Sequence, residues 1–265
     1  MIVAVRVLAL LTTYNERRFV GGCIEHLHEH GVSTYLVDNG STDETVAIAE
    51  RRRGHGLVGI EHSPRDGTFD WRAQLQRKEE LARELDADWF LHVDADEVRL
   101  PPPGAGTLAQ ALEAVDAAGY NAVNFMEFTF LPTREAPDHD HEDFRRTLRT
   151  YYPFAPQAVH QLKAWKATDV ELAGSGGHTA SFPGLRMWPE PFPMKHYLFL
   201  SPAHAVEKYV ERRYRDEEVA GGWHGWRARL TADDIPLPGA SELRTSRFDG
   251  DLDPSSPRTR HFLDR

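Results

Sequence analysis

The run Trp89-Phe90-Leu91-His92-Val93-Asp94-Ala95-Asp96-Glu97 sets an apolar strand directly against three carboxylates. Successive strand residues point to opposite faces, so Asp94 and Asp96 present oxygens on one side. A buried strand that ends in paired acids carries charge that is costly unless something compensates it. A hard divalent cation holding a diphosphate is the natural compensation. This segment is therefore the expected centre of the chemistry.

Working outward toward the N-terminus, strand and helix signals alternate. Val3 to Leu11 is a continuous apolar run, as expected for a strand covered on both faces. Arg17 to His30 carries Phe19, Val20, Cys23, Ile24 and Leu27 at helical spacing, with Gly31 as a stop. Thr34 to Val37 reads as a second strand, and Asp43 to Arg53 as a helix capped by Ser41 or Thr42. Leu57 to Ile60 is a third strand, Trp71 to Leu85 a third helix and Trp89 to Val93 a fourth strand. This order predicts an α/β fold with a doubly wound, mostly parallel sheet.

Toward the C-terminus, Pro101-Pro102-Pro103-Gly104 breaks the chain. A helix near Thr107 to Ala118 and a strand near Tyr120 to Phe130 follow. Pro132 to Phe144, rich in acids and His, reads as a surface loop. Strand-like pieces come next at Arg146 to Tyr152 and Ala158 to Ala167, then a Gly-rich turn at Gly174 to Gly177. The last expected helix is Ala203 to Val219, with Val206, Tyr209, Val210 and Arg213 in register. The organisation expected is a nucleotide-binding half over 1–130, a second half of the same domain over 131–230, and a polar tail over 231–265 that is mobile or wraps the surface.

Composition narrows the function. A formal net charge of −10 over 265 residues argues against non-specific nucleic-acid binding, which needs a basic surface. The single cysteine, Cys23, excludes an intramolecular disulfide and reads as a small buried hydrophobe. Met1 to Leu11 is too short to span a bilayer and lacks the features of a signal peptide. The expected location is cytoplasmic, with peripheral membrane contact through a partner or lipid-linked substrate left open.

Three polar clusters follow strands. Thr12-Thr13-Tyr14-Asn15-Glu16 follows the first, Asp38-Asn39-Gly40-Ser41-Thr42-Asp43 the second, and Asp94-Ala95-Asp96-Glu97 ends the fourth. Taken singly, the first two are ordinary turn and cap chemistry. In an open parallel sheet, however, all three fall on the carboxyl edge, where ligands of such folds bind.

These motifs, with their order and spacing of about 25 and then about 55 residues, resemble the GT-A nucleotide-sugar glycosyltransferases of the family-2 type. The resemblance is specific over residues 7 to 100. Met194-Lys195-His196-Tyr197 followed by a basic helix is similar to the C-terminal signature of the same group. The fold it implies is a Rossmann-like GT-A sheet with a C-terminal acceptor-side extension. The activity it implies is inverting, metal-dependent sugar transfer from a nucleoside-diphosphate sugar, UDP- or another, to an unidentified hydroxyl acceptor.

In such enzymes Thr12, Tyr14 and Glu16 lie against the nucleotide, and Asp38 accepts a hydrogen bond from a uracil-type ring nitrogen. Asn39 stands where many relatives carry a second Asp. The resemblance makes Asp96 the direct ligand of Mn2+ or Mg2+ and Asp94 the partner of the ribose or of a metal-bound water. His196 is the candidate third ligand, and an imidazole there favours manganese. Lys208, Arg212 and Arg213 on the last helix offer positive charge to the diphosphate, and His178 lies beside it or beside the acceptor. The base that deprotonates the acceptor is sought among Glu127, Glu97 and Asp70. Glu127 is ranked first because its apolar neighbours raise its pKa. The His139, His141, Glu142 and Asp143 cluster matches no trusted zinc spacing. It reads as a loop on the acceptor side.

Two other readings compete. A sugar nucleotidyltransferase or pyrophosphatase shares the sheet and metal logic, but it needs a Gly-rich basic loop where this chain has Thr-Thr-Tyr-Asn-Glu. A non-catalytic nucleotide-sugar-binding protein is disfavoured by the intact Asp94 and Asp96 pair.

Overall fold

The computed structural model describes residues 5–65, 67–221, 225–233, 235–248 and 250–264. In chain order, β1 is Val7–Thr13, α1 Val20–Glu29, β2 Val32–Asp38, α2 Thr45–Glu50 and β3 Leu57–His62. Then come α3 Trp71–Glu84, β4 Trp89–Asp94, β5 Glu97–Arg99, α4 Leu108–Ala117 and β6 Ala122–Phe130. The C-terminal part holds α5 Phe144–Thr147, β7 Thr150–Phe154, β8 Leu162–Lys166, β9 Phe192–Tyr197, α6 Pro202–Ala205, α7 Asp216–Ala220 and β10 Arg244–Thr245. Val3 and Ala4, the expected start of the first strand, lie outside the described residues.

The chain forms two compact units. The first comprises residues 1–64, 71–126 and 159–194, and the second 65–70, 127–158 and 195–265. In the first unit the strand order is β6-β8-β4-β1-β2-β3. The four strands β4, β1, β2 and β3 run parallel, and β8 and β6 add antiparallel pairs. The α/β, mostly parallel sheet expected from the alternating pattern is the observed one. Both faces of β1 are covered, and all seven of its residues are buried, which explains its unbroken apolar run. Leu8, Leu10, Val37, Phe90 and Trp165 share one core with Leu75 and Leu81 of α3. Each such aliphatic or aromatic side chain contributes roughly 1.5–3 kcal/mol by leaving water. Cys23 is buried on α1 against that helix's packing face, as expected.

In the second unit β10, β7 and the last residues of β6 form an antiparallel ladder. Its core gathers Leu131, Tyr152, Phe154, Leu198, Phe199 and Tyr209. The segment after Thr231 runs along this unit. Arg258 exchanges backbone hydrogen bonds with Pro153 and Ala155, and Leu263 is buried in the core.

Three local expectations are corrected. The helix expected over Ala203 to Val219 is broken. α6 widens into a π-helical turn at Val206–Val210 and ends, and α7 starts again at Asp216. Between them the backbone bridges to Phe69, whose N–H donates to the Arg213 carbonyl at 2.8 Å. That tertiary pairing overrides a weak helical preference. The strand expected from Arg146 starts only at Thr150, because Phe144–Thr147 turns helical after Asp143. The helix expected from Asp43 is α2, beginning at Thr45, because Ser41 and Thr42 are engaged elsewhere rather than capping it.

Candidate functional site

In the first unit the register of the parallel strands brings three acidic or hydroxyl-bearing strand ends side by side. Thr13 pairs with Asp38, and Thr12 pairs with Asp94. Register partners point to the same face, so Thr12 and Asp94 share one face and Thr13 and Asp38 the other. The Thr12 and Thr13 hydroxyls are buried with no hydrogen-bond partner among the described residues.

The loops after β1 and β2 are fastened to each other by side chains. Asn15 sits in the left-handed region at φ 56°, which its short polar side chain tolerates. Its N–H donates to Ser41 Oγ at 3.0 Å, and its Oδ1 accepts from the Thr42 N–H at 2.8 Å. The Glu16 N–H donates to Thr45 Oγ1 at 2.7 Å, and the Glu16 carbonyl receives the N–H groups of Phe19 and Val20 ahead of α1. Tyr14 stands half-buried in the same loop. Asp38 is buried and accepts the Ser41 N–H at 3.3 and 3.2 Å on its two oxygens, with His62 Nδ1 at 3.4 Å. Asn39 Oδ1 accepts from Gln74 of α3 at 3.0 Å, which ties the turn after β2 to α3.

The end of β4 is built differently. Asp94 has Lys163 Nζ at 3.3 Å on one oxygen and His92 Nε2 at 3.7 Å from the other. Lys163 also reaches Glu97 at 2.8 Å, and Glu97 accepts from Arg99 at 2.6 Å and from the Asp94 N–H at 3.2 Å. Arg99 adds the His92 carbonyl and stacks its guanidinium over Phe125 at 4.3 Å. On the helix side, Lys78 of α3 donates to His92 Nδ1 and to the Val93 carbonyl, both at 3.2 Å. Donation onto Nδ1 leaves the His92 proton on Nε2, facing Asp94. Asp96 is 7% exposed beyond the strand end.

These contacts govern the charges. Burial pushes the Asp94 carboxyl up, but Lys163 and His92 outweigh it and hold it well below the usual carboxylate range. Burial, reinforced by Lys78, drives His92 far below the ordinary imidazole value, so its ring is neutral. Burial lowers Lys78 to about 8, against the pull of Asp94 and Glu97. Burial also lowers Lys163, but Glu97 and Asp94 outweigh it and raise this lysine above its ordinary value.

The Gly-rich turn packs on the same face. Gly176 accepts from Trp71 Nε1 at 2.8 Å. Gly177, at φ 78°, would bring a Cβ within 2.8 Å of the Leu75 side chain, so a larger residue there is strained and forces Leu75 to move. His178 next to it is exposed and stacks with His160, ring centroids 4.8 Å apart.

The remaining candidates belong to the second unit. Glu127, 1% exposed, accepts from Thr129 Oγ1 and faces His196 Nδ1, each at 2.8 Å. Asp70 is paired with Arg215 at 3.0 Å. Lys208 donates to the Leu198 carbonyl at 3.1 Å, while Arg212 lies over the Phe69 ring at 4.8 Å. Lys208 sits on the π-turn, and Arg212 and Arg213 follow it, so the shared helical face expected for all three is not formed. His139 and His141 both meet Thr147 Oγ1 at 3.0 Å and close the turn ahead of α5. Among the described residues no three His, Cys, Asp or Glu side chains are grouped to hold a metal by themselves.

Lys78, Lys163 and Arg99 were not singled out from the sequence, although each left a signal. Lys78 interrupts the apolar stripe Trp71, Leu75, Ala82 at helical spacing. Glu97 and Arg99 alternate around Val98 with opposite charges on one side. Lys163 sits inside a short strand buried on both faces.

A mixed α/β unit whose parallel strands end in carboxylates sets those groups at the edge where ligands of open α/β sheets bind. The chain belongs to glycosyl transferase family 2, whose model matches residues 9–159, more than half of its length. Among solved structures it is similar to S. aureus TarS, 13% identical over 76% of this chain and 39% of that one, TM-score 0.41. It is similar to TarS 1-349 in complex with UDP-GlcNAc, 13% identical over 78% of this chain and 66% of that one, TM-score 0.44. It is also similar to the mannosyltransferase PcManGT from Pyrobaculum calidifontis in complex with GDP-Man and Mn2+. That pair is 19% identical over 79% of this chain and 62% of that one, TM-score 0.44. The chain spans less than two thirds of the length of each of these relatives. No curated protein sequence matches it. No helix among the described residues is long and apolar enough to cross a membrane.

Proposed function

We propose that this protein is an inverting glycosyltransferase that moves a sugar from a nucleoside-diphosphate sugar to a hydroxyl acceptor with the help of Mn2+ or Mg2+. The observation that carries the reading is the strand-end register, Thr13 beside Asp38 and Thr12 beside Asp94. It supports a nucleotide lying along the carboxyl edge, with Tyr14 and Glu16 in the loop above it. Asp38 then accepts the ring N–H of the base, and Asp94 accepts from the ribose or from a metal-bound water.

The donor set suits a small hard cation. Mg2+ and its relatives are held by one or two carboxylates and take their other ligands from water and substrate phosphates. Asp96, with ionised Asp94 two residues away, is such a set. When bound, the ion neutralises the leaving diphosphate as a Lewis acid.

The chain's own residues supply the rest. The acceptor oxygen attacks the anomeric carbon, the bond to the diphosphate oxygen breaks, and the acceptor proton passes to a protein base. We assign that role to Glu127 acting with His196, whose 2.8 Å contact fixes the imidazole orientation. Glu97 and Asp70 suit it less, because each is ion-paired with protein cations.

The test is a thermal-shift screen of nucleotides and nucleotide sugars with and without Mn2+, since a ligand bound only by the folded state raises the melting temperature. A metal-dependent shift in the wild type, abolished in Asp96→Ala, is the expected result. An unchanged shift in the variant removes Asp96 from the site. For the base, Glu127→Gln should retain nucleotide binding and lose transfer by roughly 10²-fold or more. Full transfer activity in that variant hands the role to another acid.

A further inference from the structure

The three cations packed behind the acidic strand end include one that stands where a metal's charge would act. Lys163 is 4% exposed, and its ammonium is shared between Glu97 at 2.8 Å and Asp94 at 3.3 Å. It comes from β8, which pairs antiparallel with β4 through Leu91 and Ala164. Arg99 answers Glu97 independently at 2.6 Å, so Glu97 does not depend on Lys163 for its counter-charge. Asp94 does depend on it, because the other side chain at its oxygens, His92, stands 3.7 Å away, beyond hydrogen-bond distance.

We infer that Lys163 is an internal competitor of the divalent ion: it neutralises Asp94 in the nucleotide-free protein and thereby sets how tightly the carboxylate pair holds metal before the diphosphate arrives. Its tethering to Glu97 gives it a second carboxylate to rest on when Asp94 is drawn to the ion. The consequence is ordered loading. An ion meeting Asp94 and Asp96 alone must share Asp94 with a buried ammonium, whereas one arriving with a diphosphate brings further ligands. Lys163 is in this account a positioning residue that acts through Asp94. The inference rests on the proposed metal and nucleotide reading of the same strand end.

The experiment measures Mn2+ binding by the full chain, using the electron paramagnetic resonance signal of free Mn2+, with and without UDP. In Lys163→Met the affinity for Mn2+ without nucleotide should rise by at least about tenfold, the size expected from removing one nearby, partly screened positive charge. Lys163→Arg, which keeps the charge, should stay near the wild-type affinity. A merely structural role for Lys163 predicts weaker or unchanged binding in Lys163→Met, and that result overturns the inference. Should Lys163→Met fail to fold, Lys163→Gln, which removes the charge but keeps a hydrogen-bond donor toward Glu97, takes its place, and the same tightening is required of it. If the wild type takes up Mn2+ with UDP but neither variant gains affinity, the competition is wrong and the metal site stands. If no form of the protein takes up Mn2+ even with UDP, the metal reading and this inference fall together.

Discussion

Asp38 and Asp94 end two strands of the same parallel sheet, yet they are held in opposite ways. Asp38 receives the N–H of a residue three positions on in its own turn, and a histidine at 3.4 Å. Asp94 is held by a lysine 69 residues away, by His92, and by the buried charges of Lys78, Glu97 and Arg99 behind them. A carboxylate held by backbone N–H groups is kept oriented as an acceptor. One surrounded by buried cations is kept ionised in a place where charge is otherwise expensive. The first arrangement suits recognition of a neutral N–H donor, and the second suits handling a cation and an anionic ligand.

The sharpest way to break this contrast is to neutralise each carboxylate in turn. Asp94→Asn leaves Lys163 with one anion fewer in a buried network and should cost about 2–4 kcal/mol of folding stability, the scale for removing one partner of a largely buried pair. Asp38→Asn keeps an oxygen to accept the Ser41 N–H and should cost about 1 kcal/mol or less. Urea denaturation of both variants checks the ranking, and equal losses would remove the distinction.

The second test uses pH. Lys78 has its pKa lowered to about 8 by burial, below the ordinary lysine value of 10.5. The unfolded chain therefore binds more protons at this site than the folded one between those two values. Folding bears the full penalty below about 8, and stability rises as pH climbs toward 10.5. The gain approaches about 3 kcal/mol at its upper end, at 1.36 kcal/mol per unit. Lys78→Met lacks this contribution. The wild type should gain on the variant across that window in parallel denaturation curves. A difference that is flat with pH would mean that Lys78 is not desolvated by α3 and β4.

The same contrast explains what could be read from the chain. The ends of β1, β2 and β4 follow from apolar runs that stop at polar clusters, and the Asp38 turn is written in Asn39-Gly40-Ser41, so its partners are local. The Asp94 environment was legible only as far as its own carboxylates. Its counter-charges come from α3, β5 and β8, and their convergence is fixed by strand pairing rather than by spacing. The break after Val210 was hidden for a similar reason. The residues there keep helical periodicity, and the bridge to Phe69 that overrides it involves residues more than a hundred positions apart. The pairing of Glu127 with His196 likewise needed the pairing of β9 with β6, although each residue was a candidate on its own.

The smallest expected effect probes the local side of the comparison. Asn15 joins the loop after β1 to the loop after β2 through Ser41 and Thr42, at a backbone φ of 56°. Asn15→Gly loses the Thr42 bond but adopts positive φ freely, and should cost about 1 kcal/mol. Asn15→Ala loses the same bond and places a Cβ in the left-handed region, which adds roughly 1 kcal/mol more. If the loops serve to aim Asp38, nucleotide affinity should fall in the same order, with Ala the weaker binder, while the Lys163 and Asp94 contact stays untouched. Equal stability of the two variants would show that the hydrogen bond to Thr42, not the backbone conformation, is what Asn15 contributes. Unchanged affinity in both would mean that Asp38 is aimed by its own turn alone.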